Sequence, residues 1–156
     1  MATPSPTTPH DCDSELDWLG LSARQGYQFG LLPLVIWLEA RNQPYEAMVA
    51  VGWVVRNRVE SPKWWGWDYP SVILKHYSGT YQFSSFDEDD PNSEKFPKGH
   101  ELAWAACLRA AAAVFTRSVQ DPTGAAMHYH DHTIRPPAWT KGMVKTAEIG
   151  AFSFYK

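Results

Sequence analysis

Residues 37–59 read WLEARNQPYEAMVAVGWVVRNRV, and this stretch contains the ends of two helices and the break between them. Just upstream, Pro33 suits the first turn of a helix, because its missing N–H group would have no partner there. That helix continues through LVIWLEAR until Asn42-Gln43-Pro44 breaks it. A second helix is predicted from about Pro44 to Glu60, where Ser61-Pro62 ends it.

The second helix has the pattern of a buried element. Its apolar residues recur at helical spacing along one face, at Met48, Val51, Gly52, Val55 and Val59. Other small or apolar residues make most of the remaining surface apolar too, namely Ala47, Ala50 and Val54. A helix that is apolar nearly all round belongs in the centre of a fold. We therefore expect this helix to form the middle of the core.

The remaining pattern predicts helices first and strands last. The predicted helices are a lead-in around Trp18, Leu19, Leu21, Tyr27 and Phe29, a short one at Ser71–Tyr77, and a long one from His100 to about Ser118 with a core stripe of Trp104, Leu108, Ala111 and Phe115. Residues 78–99 have the composition of a loop. After the turn signal Asp121-Pro122-Thr123-Gly124, strands are predicted at Ala126–His130, Val144–Ile149 and Phe152–Tyr155, with a tight turn at Gly150. The fold class is therefore α+β, a helical body with a small antiparallel sheet.

The length of 156 residues suits one domain with one core. Residues 1–14 are rich in Pro, Thr, Asp and Ser, which cannot bury enough apolar area to order themselves. We interpret them as a flexible tail, followed by a single domain over residues 15–156. No internal repeat or second block of composition follows.

The charge balance excludes several classes of partner. The formal net charge is -3, and no run of Lys and Arg is long enough to follow a phosphate backbone, so no nucleic-acid partner is expected. The same mild acidity argues against stable association with anionic membranes.

The N-terminus has neither the basic nor the apolar region of a secretory signal, and no apolar stretch reaches transmembrane length. We therefore expect synthesis in the cytoplasm.

Glu39 is the residue best suited to acid–base chemistry. One helical turn before it lie Val35 and Ile36, both apolar, and the helix ends just beyond it. A carboxyl group that is partly withdrawn from water favours its neutral form, and a neutral acid can protonate the oxygen of a breaking glycosidic bond. The alternative is a structural glutamate that pairs with Arg41 or Arg56, or one that points into water.

Several segments together resemble one family, the spore-cortex-lytic (SleB-like) cell wall hydrolases. Its signature EAR-x-x-P-Y-E-G-Q-V-A-V-x-x-V-x-x-N-R-V is similar to the quoted stretch. Three further family segments follow in the same order and resemble Tyr81-Gln82-Phe83-Ser84, Asp121-Pro122-Thr123-Gly124-Ala125, and Thr146-Ala147-Glu148-Ile149-Gly150 with Phe154-Tyr155. Each segment is weak alone, but the joint match over about residues 33–156 is specific.

The resemblance implies a lysozyme-like fold and makes residues 15–156 a catalytic domain. It implies cleavage of the β-1,4 bond between N-acetylmuramic acid and N-acetylglucosamine in peptidoglycan, with Glu39 as the catalytic acid. Characterised relatives are lytic transglycosylases, which use one carboxyl group as acid and then as base and leave a 1,6-anhydro end. The alternative is a hydrolytic muramidase, which needs a second carboxylate. The candidates for that second group are Glu46, Asp121 and Glu148. The family often has Glu where this chain has Gln43. The lack of a carboxylate at this position removes one further candidate for the second acid, and it leaves open whether Gln43 contacts sugar.

Other residues are predicted to bind the sugar chain. On the family resemblance, these are Gln82, Phe83, Ser84, His128, Tyr129, Trp139 and Thr146. The Gln82 amide can bond both donors and acceptors of an N-acetyl group, and the Tyr129 hydroxyl can orient Glu39 or a sugar. Phe83 also has the character of a core residue. Among the eight tryptophans, Trp64, Trp65 and Trp67 are further candidates for sugar contacts.

A metal site is the rival interpretation of the segment HYHDH. His128, His130 and His132 alternate along a predicted strand and so share a face, as the ligands of a zinc amidase would. The family carries His and aromatic residues on this strand without needing zinc, so neither a metal nor another cofactor is expected. The two cysteines, Cys12 and Cys107, are predicted to be free thiols, and the acidic run Asp87–Asp90 lacks the pattern of a calcium loop.

The sequence as a whole therefore predicts a monomeric enzyme whose partner is the peptidoglycan glycan strand. A cytoplasmic protein of this family fits a phage endolysin, and a bacterial wall-remodelling enzyme is the alternative origin. A non-catalytic wall-binding module is the third class. It would bind insoluble peptidoglycan without ever clearing it.

Overall fold

The structure is a computed structural model, and it describes residues 20–156. Within that range the chain forms five α-helices: α1 (Ala23–Phe29), α2 (Leu32–Ala40), α3 (Tyr45–Glu60), α4 (Tyr69–Ile73) and α5 (Leu102–Phe115). The predicted tail over residues 1–14, together with Trp18, Leu19 and Cys12, lies outside the described residues. No helix in residues 20–156 is long and apolar enough to cross a membrane.

In the described part of the chain, five short strands form two antiparallel sheets. The strands are β1 (His76–Tyr77), β2 (Thr80–Tyr81), β3 (His128–Asp131), β4 (Lys145–Ile149) and β5 (Phe152–Tyr155). The first two pair with each other, and the other three form a sheet of order β3-β5-β4. In that sheet Tyr129 lies opposite Phe154, and Asp131 opposite Phe152. The structure therefore confirms the predicted α+β class and its small antiparallel sheet.

Helix α3 lies in the centre of the core, as its apolar pattern predicts. Residues 47–55 are buried without interruption. It packs against α2 and α5 at Gly52, where an added Cβ would come within 3.1 Å of both Ile36 Cδ1 and Val114 Cγ2. This close approach lets three helices share one core of Val, Ile and Ala side chains.

The break after α2 positions the functional side of the molecule. Residues 41–44 turn the chain between α2 and α3, so that the end of α2 faces the three-stranded sheet. Gln43 Oε1 accepts a hydrogen bond from the N–H of Ala151 at 2.9 Å and thereby ties the β4–β5 turn to this break. The side-chain oxygen of Gln43 therefore has a structural role, in which it binds the turn of the sheet.

Several predicted elements differ in detail from those observed. Within residues 78–99, predicted as loop, lie β2 and a short 3₁₀ helix, and the strand predicted at Ala126–His130 starts at His128. The helix predicted at Ser71–Tyr77 starts earlier and ends earlier, because Asp68 caps it and the Ser71 side chain completes the capping box. Its predicted last residues form β1 instead, since Ser78 and Gly79 both take a positive φ and make a tight hairpin turn. The core stripe of α5 is also rotated. Its most buried side chains are Cys107, Ala110, Ala111, Ala112 and Val114, whereas Trp104, Leu108 and Phe115 are half-buried, because small side chains fit where helices approach closely.

Candidate active site

Glu39 lies in the last turn of α2, half-buried, with a hydroxyl group on each carboxyl oxygen. The Ser85 Oγ donates to Oε1 at 2.5 Å, and the Tyr129 hydroxyl donates to Oε2 at 2.7 Å. These partners are 46 and 90 residues away in the chain. The carboxyl group is therefore fixed in position by three separate segments of the fold.

Neither alternative ion pair of Glu39 is formed. Arg41 turns back to donate to the carbonyls of Trp37 and Leu38 and to the Asn92 side chain. Arg56 pairs with Glu60 and donates to carbonyls at the end of α5. The carboxyl group of Glu39 is thus left with two neutral hydroxyl partners, an arrangement suited to a group that must gain and lose a proton.

The two hydroxyl groups are held firmly from behind. Ser85 is buried in a short 3₁₀ helix, Ser84–Phe86. The Tyr129 ring packs on β5, with ring centroids 5.2 Å from Phe152 and 5.8 Å from Phe154. Burial, and then the charge of Glu39, raises the pKa of Tyr129 well above its ordinary range. Tyr129 therefore keeps its proton at all moderate pH values and can always donate to Glu39.

Glu39 stands where two open depressions of the surface meet. The first is lined by Glu39, Arg58, Gln82, Phe83, Ser84, His128, Tyr129, His130, Asp131, Ile134, Trp139 and Phe152. The second is lined by Leu38, Glu39, Arg41, Asn42, Gln43, Asn92, Asp131 and Phe152. Glu39, Asp131 and Phe152 line both depressions. A cleft that is open on both sides of one carboxyl group can hold a chain molecule across it.

Most of the sugar-binding residues predicted from the sequence lie in this cleft. Gln82 and Ser84 are exposed along its edge, Tyr129 and His128 form part of its floor, and Trp139 is 40% exposed beside them. Phe83 lines the cleft but is buried at 3% exposure, so it serves chiefly as core.

Thr146 is not brought to the cleft. It lies in β4, where its side chain is adjacent to Gly124 and its hydroxyl is 3.4 Å from the Phe154 carbonyl. Trp64 and Trp67 are exposed, but neither lines the cleft, and Trp65 is buried with its indole N–H donating to the Arg58 carbonyl.

The histidine strand does not gather a metal site. His130 is buried, with one ring nitrogen 2.8 Å from the Asp131 carbonyl and the other 3.2 Å from the Tyr155 hydroxyl. His132 is exposed and faces Glu148. Within residues 20–156 no group of three or more His, Cys, Asp or Glu side chains could hold a metal ion. The ring nitrogens of His130 thus have hydrogen-bonding partners within the sheet.

His128 is a neutral member of the cleft. It packs between Trp65 and Trp139, with ring centroids 6.1 Å and 5.6 Å away. Burial, and then the nearby charges of Arg58 and Lys63, lowers its pKa to about 4. Because it is uncharged at neutral pH, His128 is suited to hydrogen bonding and stacking with a ligand and not to ion pairing.

None of the second carboxylates suggested by the sequence lines the cleft. Glu46 is exposed in the first turn of α3, and Glu148 pairs with Lys145 on the outer face of β4. Asp121 makes hydrogen bonds with Asn57, Thr123 and Ala125, which shape the turn before β3.

Sequence reasoning missed three residues that are close to Glu39 or share its cleft: Ser85, Arg58 and Asp131. Ser85 is next to the predicted Ser84. The sequence of this segment does not show which of the two hydroxyl groups points inward. Arg58 lies in the last turn of α3, where a basic residue favours the helix dipole, and nothing in its spacing indicates a place in a cleft. Asp131 lies within the segment HYHDH, in which the alternating pattern indicates a shared face for the three histidines and not for Asp131.

The helical body and the small sheet together form a cleft around one carboxyl group. A model of the family described as cell wall hydrolase matches residues 42–155, starting three residues after Glu39. The chain therefore belongs to the cell wall hydrolase family.

Two solved structures share the fold. The catalytic domain of the germination-specific lytic transglycosylase SleB from Bacillus anthracis is 23% identical, with a TM-score of 0.60 over 88% of this chain and 98% of that one. The catalytic domain of the Bacillus cereus SleB protein is 22% identical, with a TM-score of 0.57 over 87% of this chain and 93% of that one. Among curated proteins there is no significant match.

Proposed function

We propose that this protein cleaves the β-1,4 bond between N-acetylmuramic acid and N-acetylglucosamine in peptidoglycan as a lytic transglycosylase. The observation that carries the proposal is the carboxyl group of Glu39, held by Ser85 and Tyr129 at the meeting point of two depressions. Membership of the cell wall hydrolase family supports the substrate class, and the shared fold with a lytic transglycosylase from Bacillus anthracis supports the reaction type.

In the first step Glu39 acts as a general acid. Its neutral carboxyl group donates a proton to the oxygen that links the two sugars, and the bond from that oxygen to C1 of the muramic acid breaks. The single proton of the neutral carboxyl group points at the glycosidic oxygen, while the hydroxyl groups of Ser85 and Tyr129 still donate to the carboxyl oxygens. Hydroxyl groups can both donate and accept, so Ser85 and Tyr129 can hold Glu39 in either protonation state.

In the second step the same residue acts as a general base. Ionised Glu39 takes the proton of the C6 hydroxyl group as that oxygen attacks C1 of the same muramic acid. The products are a new N-acetylglucosamine end and a 1,6-anhydro muramic acid end, and no water is consumed. Glu39 ends the cycle protonated, as it began.

Hydrolysis is the second candidate, and it is Asp131 that keeps it open. Asp131 shares both depressions with Glu39. Its Oδ1 accepts hydrogen bonds from the Thr133 hydroxyl and N–H at 2.6 Å and 2.8 Å, and these bonds hold the pKa of Asp131 below its ordinary value. A water-using glycosidase needs an ionised carboxylate as well as an acid in the same cleft, and Asp131 could supply it.

The ends of the product distinguish the two reactions. Purified peptidoglycan digested by the wild type is expected to give muropeptides with 1,6-anhydro ends, each one water lighter than a hydrolysis product by mass spectrometry. Asp131→Asn should give the same ends, because the proposed reaction makes no use of an ionised group at that position. Reducing ends from the wild type, lost in Asp131→Asn, would instead establish a muramidase with Asp131 as its second carboxylate.

The biological setting is a proposal drawn from the sequence. We propose a monomer that is made in the cytoplasm and acts on the wall after release, as a phage endolysin does. A zinc amidase remains the less favoured alternative, and a chelator that stops wall digestion would support it. The predicted monomer can be checked by sedimentation of the full chain in solution.

A further inference from the structure

Arg58 is a buried cation with little to bind it. Its side chain is 6% exposed, and its Nε donates to the Met127 carbonyl at 2.7 Å. Within residues 20–156 it forms no ion pair with a carboxylate, and its Nη1 is buried without a hydrogen-bond partner. A buried charge that lacks a partner is costly, so such a group is a place to look for a ligand.

The surroundings of Arg58 keep its charge but give Nη1 no acceptor. Burial lowers the pKa of Arg58 to about 10, so the guanidinium is still charged at neutral pH. Its Cζ lies 5.6 Å from the centre of the Trp65 ring and 5.4 Å from that of Phe83. These rings attract the positive charge, but their carbon faces are poor acceptors for its N–H groups.

The Arg58 side chain is part of the cleft lining. Arg58 lines the same depression as Glu39, beside His128 and Tyr129. Both neighbours are uncharged at neutral pH, because the pKa of His128 is lowered to about 4 and that of Tyr129 is raised. A ligand oxygen that enters here would meet a cation whose two neighbours are neutral, and a hydrogen bond from a charged donor is stronger than one between neutral groups.

We propose that Arg58 recognises the acyl oxygen of the lactyl group on N-acetylmuramic acid, and so makes the cleft select peptidoglycan over chitin-like chains. This inference rests on the proposed function. Both sugars carry an N-acetyl group, a neutral amide that suits the exposed Gln82 side chain at the cleft edge. Only the muramic acid carries the lactyl ether, whose acyl oxygen is a carboxylate in bare glycan and an amide carbonyl where a peptide is attached.

Ligand binding tests the inference without depending on turnover. The full-length Glu39→Gln protein and its double variant with Arg58→Met are titrated calorimetrically with three tetrasaccharides. These are chitotetraose, a peptidoglycan tetrasaccharide without peptides, and the same tetrasaccharide with its peptides. Methionine keeps an apolar stem between Trp65 and Phe83 while removing the guanidinium, and Arg58→Lys, which keeps the charge but not the planar fork, is the second variant.

The control is Arg56→Met in the same helix. Arg56 holds Glu60 and the end of α5 and does not line the cleft. Arg56→Met should therefore lower the stability of the fold, while the ratio of affinities for muramic and chitin-like ligands stays unchanged.

We expect Arg58→Met to weaken binding of the muramic ligands by about tenfold or more, while chitotetraose binding changes by less than about twofold. A loss confined to the peptide-free ligand would identify the carboxylate as the acceptor, and a loss confined to the peptide-bearing ligand would identify the amide carbonyl. Equal loss for all three ligands, or no loss for any, would overturn the inference even if the wild type makes anhydro products. Failure of the Glu39→Gln protein to bind any of the three would overturn it together with the proposed substrate.

Discussion

At the scale of single residues, the site depends on two neutral hydroxyl groups and not on charges. Ser85 and Tyr129 donate to opposite oxygens of Glu39, so the carboxyl group would keep one orientation through both of the proposed proton transfers. A charged partner such as Arg would favour the ionised form strongly and would oppose the acid step. The pair of hydroxyls thus suits a residue that must serve as acid and as base in one cycle.

Ser85→Ala tests this positioning role. The change removes one hydrogen bond to Glu39 and leaves the backbone of the short helix intact. We expect kcat on peptidoglycan to fall by about tenfold to a hundredfold with little change in KM, because a misplaced catalytic group costs rate more than binding.

Ser118→Ala is the matched control for Ser85→Ala. Ser118 is exposed beyond the end of α5, outside the cleft, so its loss should leave the rate unchanged. The positioning role would be refuted by a Ser85→Ala enzyme with the kcat of the wild type.

At the scale of elements, the turn between β4 and β5 is the joint that attaches the sheet to the helical body. Gly150 has a φ of +57°, and an added Cβ would lie 2.8 Å from Gln43 Oε1 and 3.0 Å from Ala47 Cβ. The same Gln43 oxygen accepts the hydrogen bond from Ala151. The turn can approach the α2–α3 break only because residue 150 has no side chain.

Gly150→Ala should therefore destabilise the fold through strain and crowding together. We expect a loss of at least about 2 kcal/mol in the free energy of unfolding, measured by urea denaturation.

Gly142→Ala separates the two causes. Gly142 also has a positive φ, +89°, but nothing lies within 4 Å of its added Cβ. Its loss should be only the backbone strain of about 1 kcal/mol. Equal losses in the two variants would show that the turn is not held against the break.

The elements differ in how far the sequence could predict them. The helices α2 and α3 follow from Pro33, the break at residues 42–44 and an apolar pattern long enough to fix the helical period. The start of α4 depends on a cap at Asp68, and β1 depends on a two-residue turn at Ser78-Gly79. In a segment of only a few residues the apolar pattern is weak, and local caps and turns decide where the helix begins and ends. The helix predicted at Ser71–Tyr77 was therefore wrong in its extent.

At the scale of the whole molecule, the fold assembles one site from three distant segments. The sequence proposes Glu39 as the catalytic acid, because its apolar neighbours and the family motif both lie close to it in the chain. It could not choose Ser85 over Ser84, or find the cleft position of Arg58, since those depend on tertiary contacts across 46 or more residues. The cleft contains the predicted Gln82, Ser84, Tyr129, His128 and Trp139 but not Thr146.

The most direct test of the account is digestion of purified peptidoglycan by the wild type, Glu39→Gln and Glu46→Gln, with rates and product masses measured together. Glu46 is an exposed carboxylate only seven residues from Glu39 and outside the cleft, so Glu46→Gln controls for the loss of a charge. The account predicts anhydro-ended products from the wild type and from Glu46→Gln, and a rate for Glu39→Gln lower by about 10²–10⁴-fold. A Glu39→Gln enzyme that releases the same products at the rate of the wild type would contradict it.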